Sequence, residues 1–320
     1  MRLFGRYVCA LPVGVSVRVR QGAAKRMVGM TLPRAVIREL LRVVATVPAR
    51  RGRSLAELPA LGDAEAVLAE VAPHVGPWHA AAAYWPPDAD RDRAYLHLLD
   101  DRGRGKAFLK LANRSDAAAL DRERDALAAL AGGSWPLTTP PLLASGETDA
   151  TRWILTGALP RVGRQTLKPR LALPHGVVEE IRGETRVVPP SELDTLSWWA
   201  ALKPRLDSVP AAFLQELKTA TADGLEVGRA HGDFCAHNVV TVAGRVWVFD
   251  WEEYAPDAPV DLDVVTFRLE RGDDLAEVRG APGEPAYRRF VMCCAFGLAR
   301  DIPRFRVIVD GWSGLRAQVE

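Results

Sequence analysis

No apolar run in this chain approaches the ~20 residues that cross a bilayer, because Arg, Lys, Pro or Gly interrupts every candidate, and a transmembrane helix is excluded. Cysteine is scarce. Its four occurrences, Cys9, Cys235, Cys293 and Cys294, have no framework spacing, and the adjacent Cys293 and Cys294 are poorly placed to pair with each other. A disulfide-stapled scaffold is excluded, and a reducing, cytoplasmic setting is expected. No internal repeat or low-complexity tract occurs. A secretory leader is not expected either: Pro12 and Gly14 interrupt the apolar stretch Tyr7 to Val17, Arg18 and Arg20 follow at once, and there is no small-x-small cleavage site. Net charge is low, at +2, but it is unevenly spread, since residues 1–60 hold twelve Arg or Lys against Glu39 and Glu57. That basic extension reads either as a solvated surface or as an arm for an anionic surface, and nucleic acid is not expected as a partner.

What is present is the composition of a globular protein. The 320 residues, 48% hydrophobic and 26% charged, suffice for two modest cores and a terminal element. Val13 to Arg20 alternates apolar and polar residues, as a half-buried strand does. Thr31 caps an amphipathic helix with Val36, Ile37, Leu40, Leu41 and Val44 on one stripe and Arg34, Arg38 and Arg42 along another side. The Arg-rich run at 50–54 reads as a linker, and a short helix spans Asp63 to Val71. From His79 the texture is strand-like: His79 to Trp85, a turn at 86–92, Arg93 to Leu99, a tight turn from Asp100 to Gly105, then Ala107 to Ala112. This predicts a three-stranded antiparallel meander. Ser115 is placed to cap a helix running to Ala131, Trp153 to Thr156 is a last strand, and Ser191 to Leu202 and Ala211 to Ala222 read as helices.

Leu120, Leu127 and Leu130 share one face of the helix after Ser115, and Glu123 falls on that face. A carboxylate on an apolar stripe needs a partner. Lys110 on the preceding strand offers one, because its neighbours Leu109 and Leu111 point to the opposite face. Lys–Glu pairs are common on surfaces, yet a strand lysine followed by a helix glutamate is also the pair that positions nucleotide phosphates in kinases. Downstream, His231-Gly232-Asp233 with Asn238 places a carboxylate and an amide oxygen on one tight loop. Phosphoryl transfer to a hydroxyl needs a base to take the acceptor's proton and hard oxygen ligands for magnesium. Asp233 suits the first role and Asn238 the second. A hairpin over Val239 to Phe249, turning at Ala243-Gly244-Arg245, then brings Asp250 back as an expected second magnesium ligand.

His231-Gly-Asp-x4-Asn238 followed by Phe249-Asp250-Trp251-Glu252 resembles the aminoglycoside phosphotransferase family of the protein-kinase-like superfamily, over about residues 77 to 270. The resemblance implies an α+β, protein-kinase-like two-lobed fold. A basic N-terminal extension (1–76) would precede a small antiparallel β-sheet N-lobe (77–157) and a larger helical C-lobe (158–320) with the catalytic loop and acceptor site. It further implies that Lys110 contacts nucleotide phosphates, Glu123 holds it, Asp233 is the catalytic base, and Asn238 and Asp250 bind Mg2+. The donor would be ATP or GTP, and the acceptor a small-molecule hydroxyl on an aminoglycoside, amino alcohol or sugar. Asp261-Leu262 resembles the family's step that opens a helix and braces the loop, giving Asp261 a structural role. Two departures stand out: Cys235-Ala236 replaces a frequent His-Pro, and 86–92 has no glycine to cover phosphates. The second leaves a rival reading, a catalytically weak kinase-like nucleotide-binding or scaffolding protein.

Other chemistries fit these residues less well. His231, Cys235 and His237 are zinc-ligand types without a fourth ligand at motif spacing, and Cys235 as a nucleophile leaves the rest of the loop unexplained. Gly103-Arg-Gly105-Lys106 lacks Walker spacing and reads as a hairpin turn. Trp198, Trp199, Trp251 and Tyr254 suggest an aromatic cage, and ten Asp or Glu between 240 and 280 an acidic region. Together they would draw a cationic acceptor.

Overall fold

The computed structural model describes residues 2–3, 6–7, 9–10, 15–24, 63–84, 93–132, 137–158 and 172–313. The expected basic helix from Thr31, the linker at 50–54 and the turn at 86–92 lie outside the described residues. The chain forms two compact units, one from Met1–Lys168 with Val239–Glu252, the other from Pro169–Asn238 with Glu253–Glu320.

The first unit is built on a six-stranded antiparallel sheet in the order Cys9–Ala10, Ala80–Tyr84, Arg93–Leu99, Gly105–Asn113, Thr151–Gly157 and Leu142–Glu147. The expected meander is its centre, and Leu142–Glu147 is a strand that the sequence pattern did not disclose. Leu96, Leu98, Leu109, Leu111 and Leu155 pack on one face with Val67 and Val71 of helix Ala64–Val75. This helix runs past the expected end at Val71, carries Pro73 within it, and stops at Gly76, whose backbone is left-handed (φ 68°). On the other face, Ala112 and Ile154 meet Leu120 of helix Ala117–Ala129. Lys110 shares that face, paired across the ladder with Tyr95 and Ile154. Ser115 does not cap this helix; it sits in a 3-10 turn, Arg114–Asp116, and no side chain caps the N-terminus.

The alternation of Val13 to Arg20 misleads: Val17–Ala24 is a helix. Val19 and Ala23, one turn apart, are fully buried. A Cβ on Gly22 would lie 2.3 Å from the carbonyl oxygen of Gly103, so close helix-to-turn packing overrides the local β preference. The expected hairpin after Asn238 forms, but Arg245 opens its second strand rather than standing in the turn, with Val239–Val242 pairing with Arg245–Val248. Ala243 (φ 51°) and Gly244 (φ 77°) both adopt the left-handed backbone that a two-residue hairpin turn demands. Leu137–Thr138 adds a parallel strand beside it.

The second unit is mainly helical, with a three-stranded sheet ordered Arg186–Val188, Leu225–Ala230 and Ala255–Pro259. Helix Pro285–Ala299 is its axis, buried on every side from Phe290 to Ala299, as a helix apolar all round must be. Phe213 and Leu217 of helix Ala211–Thr221, Trp198 and Leu202 of helix Ser197–Leu202, and Phe305 and Val309 of helix Pro303–Asp310 complete that core. The small antiparallel-sheet part and the larger helical part expected of an α+β chain are thus both present. Residues 158–190, patternless in sequence, include helix His175–Arg182. Gly297 makes a sharp prediction. An added Cβ there would lie 2.5 Å from Cβ of Phe305 and closer still to its ring. Gly297→Ala should therefore destabilise the helical unit by about 2 kcal/mol, the scale of overpacking a tight core, read as a lowered denaturant midpoint.

Candidate functional site

In the first unit, the strand Gly105–Asn113 turns Lys110 away from the leucine-rich face and into a set of carboxylates. Its Nζ donates to Glu123 Oε2 at 2.6 Å, Asp250 Oδ1 at 2.7 Å and Glu252 Oε1 at 3.2 Å. Lys110, Glu123 and Glu252 are all buried, whereas the Asp250 side chain is 48% exposed. Burial works to lower the Lys110 pKa, but Asp250, Glu123 and Glu252 outweigh it and hold the ammonium well above its ordinary value. Glu123 moves the other way from a usual carboxylate: burial, with Asp250 and Glu252 adding, pushes it up to about 7 against the pull of Lys110.

Glu252 is the best anchored of the three. Its Oε1 also accepts from the Tyr95 hydroxyl at 3.2 Å, its Oε2 pairs with Arg93 Nη1, and its backbone carbonyl accepts from Arg122 Nε at 2.6 Å. Arg93 in turn reaches Asp116 at 3.1 Å. Between the exposed Asp250 and the buried Glu252, Trp251 is wholly buried and its Nε1 donates to the Val248 carbonyl at 3.1 Å. One atom from each of Glu123, Asp250 and Glu252 lies within 4.8 Å of the others. Oxygen donors in such a group are the type a hard divalent cation takes.

In the second unit, the strand Leu225–Ala230 delivers the chain into the loop His231 to Asn238. The amides of His231 and Gly232 donate to the two carboxylate oxygens of Asp263 at 2.8 and 2.9 Å. Asp263 lies in the first turn of helix Leu262–Arg271, where a negative charge meets the positive end of the helix dipole. Burial pushes its carboxyl up, opposed by His231 and the two amide bonds. Gly232 is required: its φ is 84°, and a Cβ would fall 2.1 Å from the Glu253 carbonyl oxygen. Asn238 Nδ2 donates to the backbone oxygen of Asp233 at 3.0 Å and to its Oδ2 at 3.2 Å, so the amide nitrogen is spent within the loop and the amide oxygen is the group's acceptor atom. Asp233 Oδ1 accepts from Arg304 Nη2 at 2.7 Å, and Arg304 Nη1 lies 3.1 Å from Glu270 Oε1.

Of the residues singled out in the sequence, Lys110, Glu123 and Asp250 are thus brought together in one unit, and Asp233 and Asn238 in the other. Glu252, Arg93, Asp263 and Arg304 were not anticipated. Asp261 does not brace the loop; it opens the helix and pairs with Arg289 at 2.5 Å, while Asp263 binds the loop amides. The aromatic cage is also corrected. Trp198, Trp251 and Tyr254 are buried in the packed interior, and Trp198 Nε1 is spent on the Asp257 carbonyl at 3.0 Å. Cys235 Sγ lies 3.2 Å from His237, but burial, then Asp233, pushes the thiol far above its ordinary value, the opposite of an activated nucleophile. Gly103 and its neighbours form the expected hairpin turn, closed by Asp100 accepting from the amides of Arg102 and Arg104. Among the described residues, Cys235, Cys293 and Cys294 are free thiols, and no helix is long and apolar enough to cross a membrane.

No protein-family model matches the chain, and no curated protein matches it in sequence. Among solved structures it is similar to the GDP complex of wild-type aminoglycoside 2'-phosphotransferase-IIIa, at 13% identity and a TM-score of 0.48, covering 81% of this chain and 93% of that one. Aminoglycoside phosphotransferase APH(3'')-Id from Streptomyces rimosus ATCC10970 matches at 17% identity and a TM-score of 0.42, over 78% of this chain and 97% of that one. Choline kinase from Cryptosporidium parvum Iowa II matches at 7% identity and a TM-score of 0.44, over 78% and 91%.

Proposed function

We propose that the protein is a phosphotransferase that moves the terminal phosphate of ATP or GTP to a hydroxyl of a small molecule, with magnesium. The observation that carries this reading is the buried ammonium of Lys110, seated among Glu123, Asp250 and Glu252. A lysine so held offers a fixed positive charge to nucleotide phosphates and cannot wander to solvent. Glu123 and Glu252 orient it. Asp250 and Asn238 each offer an oxygen of the type magnesium takes, and we assign them as its ligands; magnesium would supply positive charge against the phosphates. Asp233 orients the acceptor hydroxyl and takes its proton as the oxygen attacks phosphorus. With the aromatic cage gone, a neutral sugar hydroxyl is as well suited as an amine-bearing acceptor.

Calorimetric titration of ATP and GTP with and without magnesium tests the reading. Saturable binding that strengthens with magnesium is expected for at least one nucleotide, and no binding of either would end the proposal. A second reading, a nucleotide-binding protein with little turnover, draws on the glycine-free segment 86–92. It predicts binding with no phosphotransfer across a screen of aminoglycosides, amino alcohols and sugars.

A further inference from the structure

Arg304 donates to Asp233 Oδ1 at 2.7 Å, and the proposed reading gives this contact no role. We propose, resting on the phosphotransferase reading, that Arg304 is a positioning residue that covers the base until an acceptor arrives and so suppresses transfer of phosphate to water. Asp233 has two oxygens, and both are engaged: Oδ2 by Asn238 within the same loop, Oδ1 by Arg304 from helix Pro303–Asp310. A hydroxyl proton needs one of them. The Asn238 bond belongs to the folded loop, together with its bond to the Asp233 backbone. Arg304 is the replaceable partner.

Three features make it so. The side chains of Arg304 and Asp233 are 26% and 28% exposed, so parting them leaves each charge in partial contact with solvent. Glu270, on helix Leu262–Arg271, lies 3.1 Å from the other arm of the guanidinium and gives the charge a second anion to turn to. And a partly exposed ion pair is weak, so an acceptor that binds through several contacts can displace it, whereas a single water gains too little to do so. In the suppressed reaction the water oxygen would bond to the terminal phosphorus and the bridging P–O bond would break. The water proton would pass to Asp233 Oδ1, leaving nucleoside diphosphate and phosphate.

Acceptor-free, magnesium-dependent nucleotide hydrolysis in wild type, Arg304→Gln, Glu270→Gln, Asp233→Asn and the Asp233→Asn/Arg304→Gln double variant tests this. Arg304→Gln should hydrolyse about fivefold faster than wild type, the kinetic equivalent of roughly 1 kcal/mol for a weak ion pair. The rise should vanish in the double variant, because it acts through the base. Glu270→Gln should move hydrolysis the other way, since Arg304 then has only Asp233. That variant also serves if Arg304→Gln fails to fold. Hydrolysis by Arg304→Gln at or below wild type with nucleotide binding intact overturns the proposal, and so does a rise that survives Asp233→Asn, or a Glu270→Gln rate at or above wild type. If none of the proteins binds nucleotide with magnesium, the phosphotransferase reading itself is lost, and this inference with it.

Discussion

Replacing Asp233 with Asn is expected to lower acceptor phosphorylation by about 10²- to 10⁴-fold, the range over which a positioned base contributes, while leaving nucleotide affinity nearly unchanged. The substitution keeps the shape of the side chain and an oxygen that can still face Arg304; its amide NH2 loses the bond from Asn238 Nδ2, which keeps its other acceptor, the backbone oxygen of residue 233. What it removes is the capacity to accept a proton. Asp233 lies in the helical unit, on a loop whose amides are fixed by Asp263, so the neighbouring backbone has no reason to move. The effect should therefore fall on kcat rather than on the KM for nucleotide, which steady-state kinetics with a responsive acceptor separates. Equal turnover by the two proteins would remove Asp233 as the base.

Glu252→Ala is expected to be the most damaging single change to stability, at about 3 kcal/mol, because it breaks a buried ion network from its centre. Arg93 and Lys110 are both almost wholly buried and both lose an anion, and the Tyr95 hydroxyl loses its acceptor. Arg93 retains Asp116, and Lys110 retains Glu123 and Asp250, which keeps the cost from rising further. Glu252→Gln preserves an acceptor oxygen for Tyr95 and should cost roughly half as much. Denaturant midpoints on the two variants give the comparison. A Glu252→Ala protein within about 1 kcal/mol of wild type would show that the network is not coupled as its geometry indicates.

Why some of this was legible in the sequence, and some not, follows from the range of the interactions. Lys110 and Glu123 could be paired in advance because two local periodicities, alternation along a strand and the three-residue step of a helix, each fix a face. The hairpin after Asn238 was equally local, set by Ala243-Gly244. Glu252 closes the motif Phe249-Asp250-Trp251-Glu252, but its partner Arg93 lies 159 residues away and no local pattern links them. Arg304 is one of 42 basic residues and carries no periodic signature. Asp261 and Asp263 stand two residues apart at one helix start, and only the path of the backbone decides which carboxylate meets the loop amides. The tryptophans misled for another reason: a large aromatic ring suits a ligand cage and a packed core equally well in composition, and burial alone separates the two.

Asp250 follows the hairpin in a left-handed backbone conformation, with φ at 70°. Among the twenty residues only glycine, asparagine and aspartate enter that region at low cost. Glycine brings no side-chain oxygen, and asparagine brings no charge to set against Lys110. Two unrelated requirements, one on the chain's path and one on its charge, thus meet in a single residue: glycine would keep the path and lose the charge, and glutamate would keep the charge and strain the path.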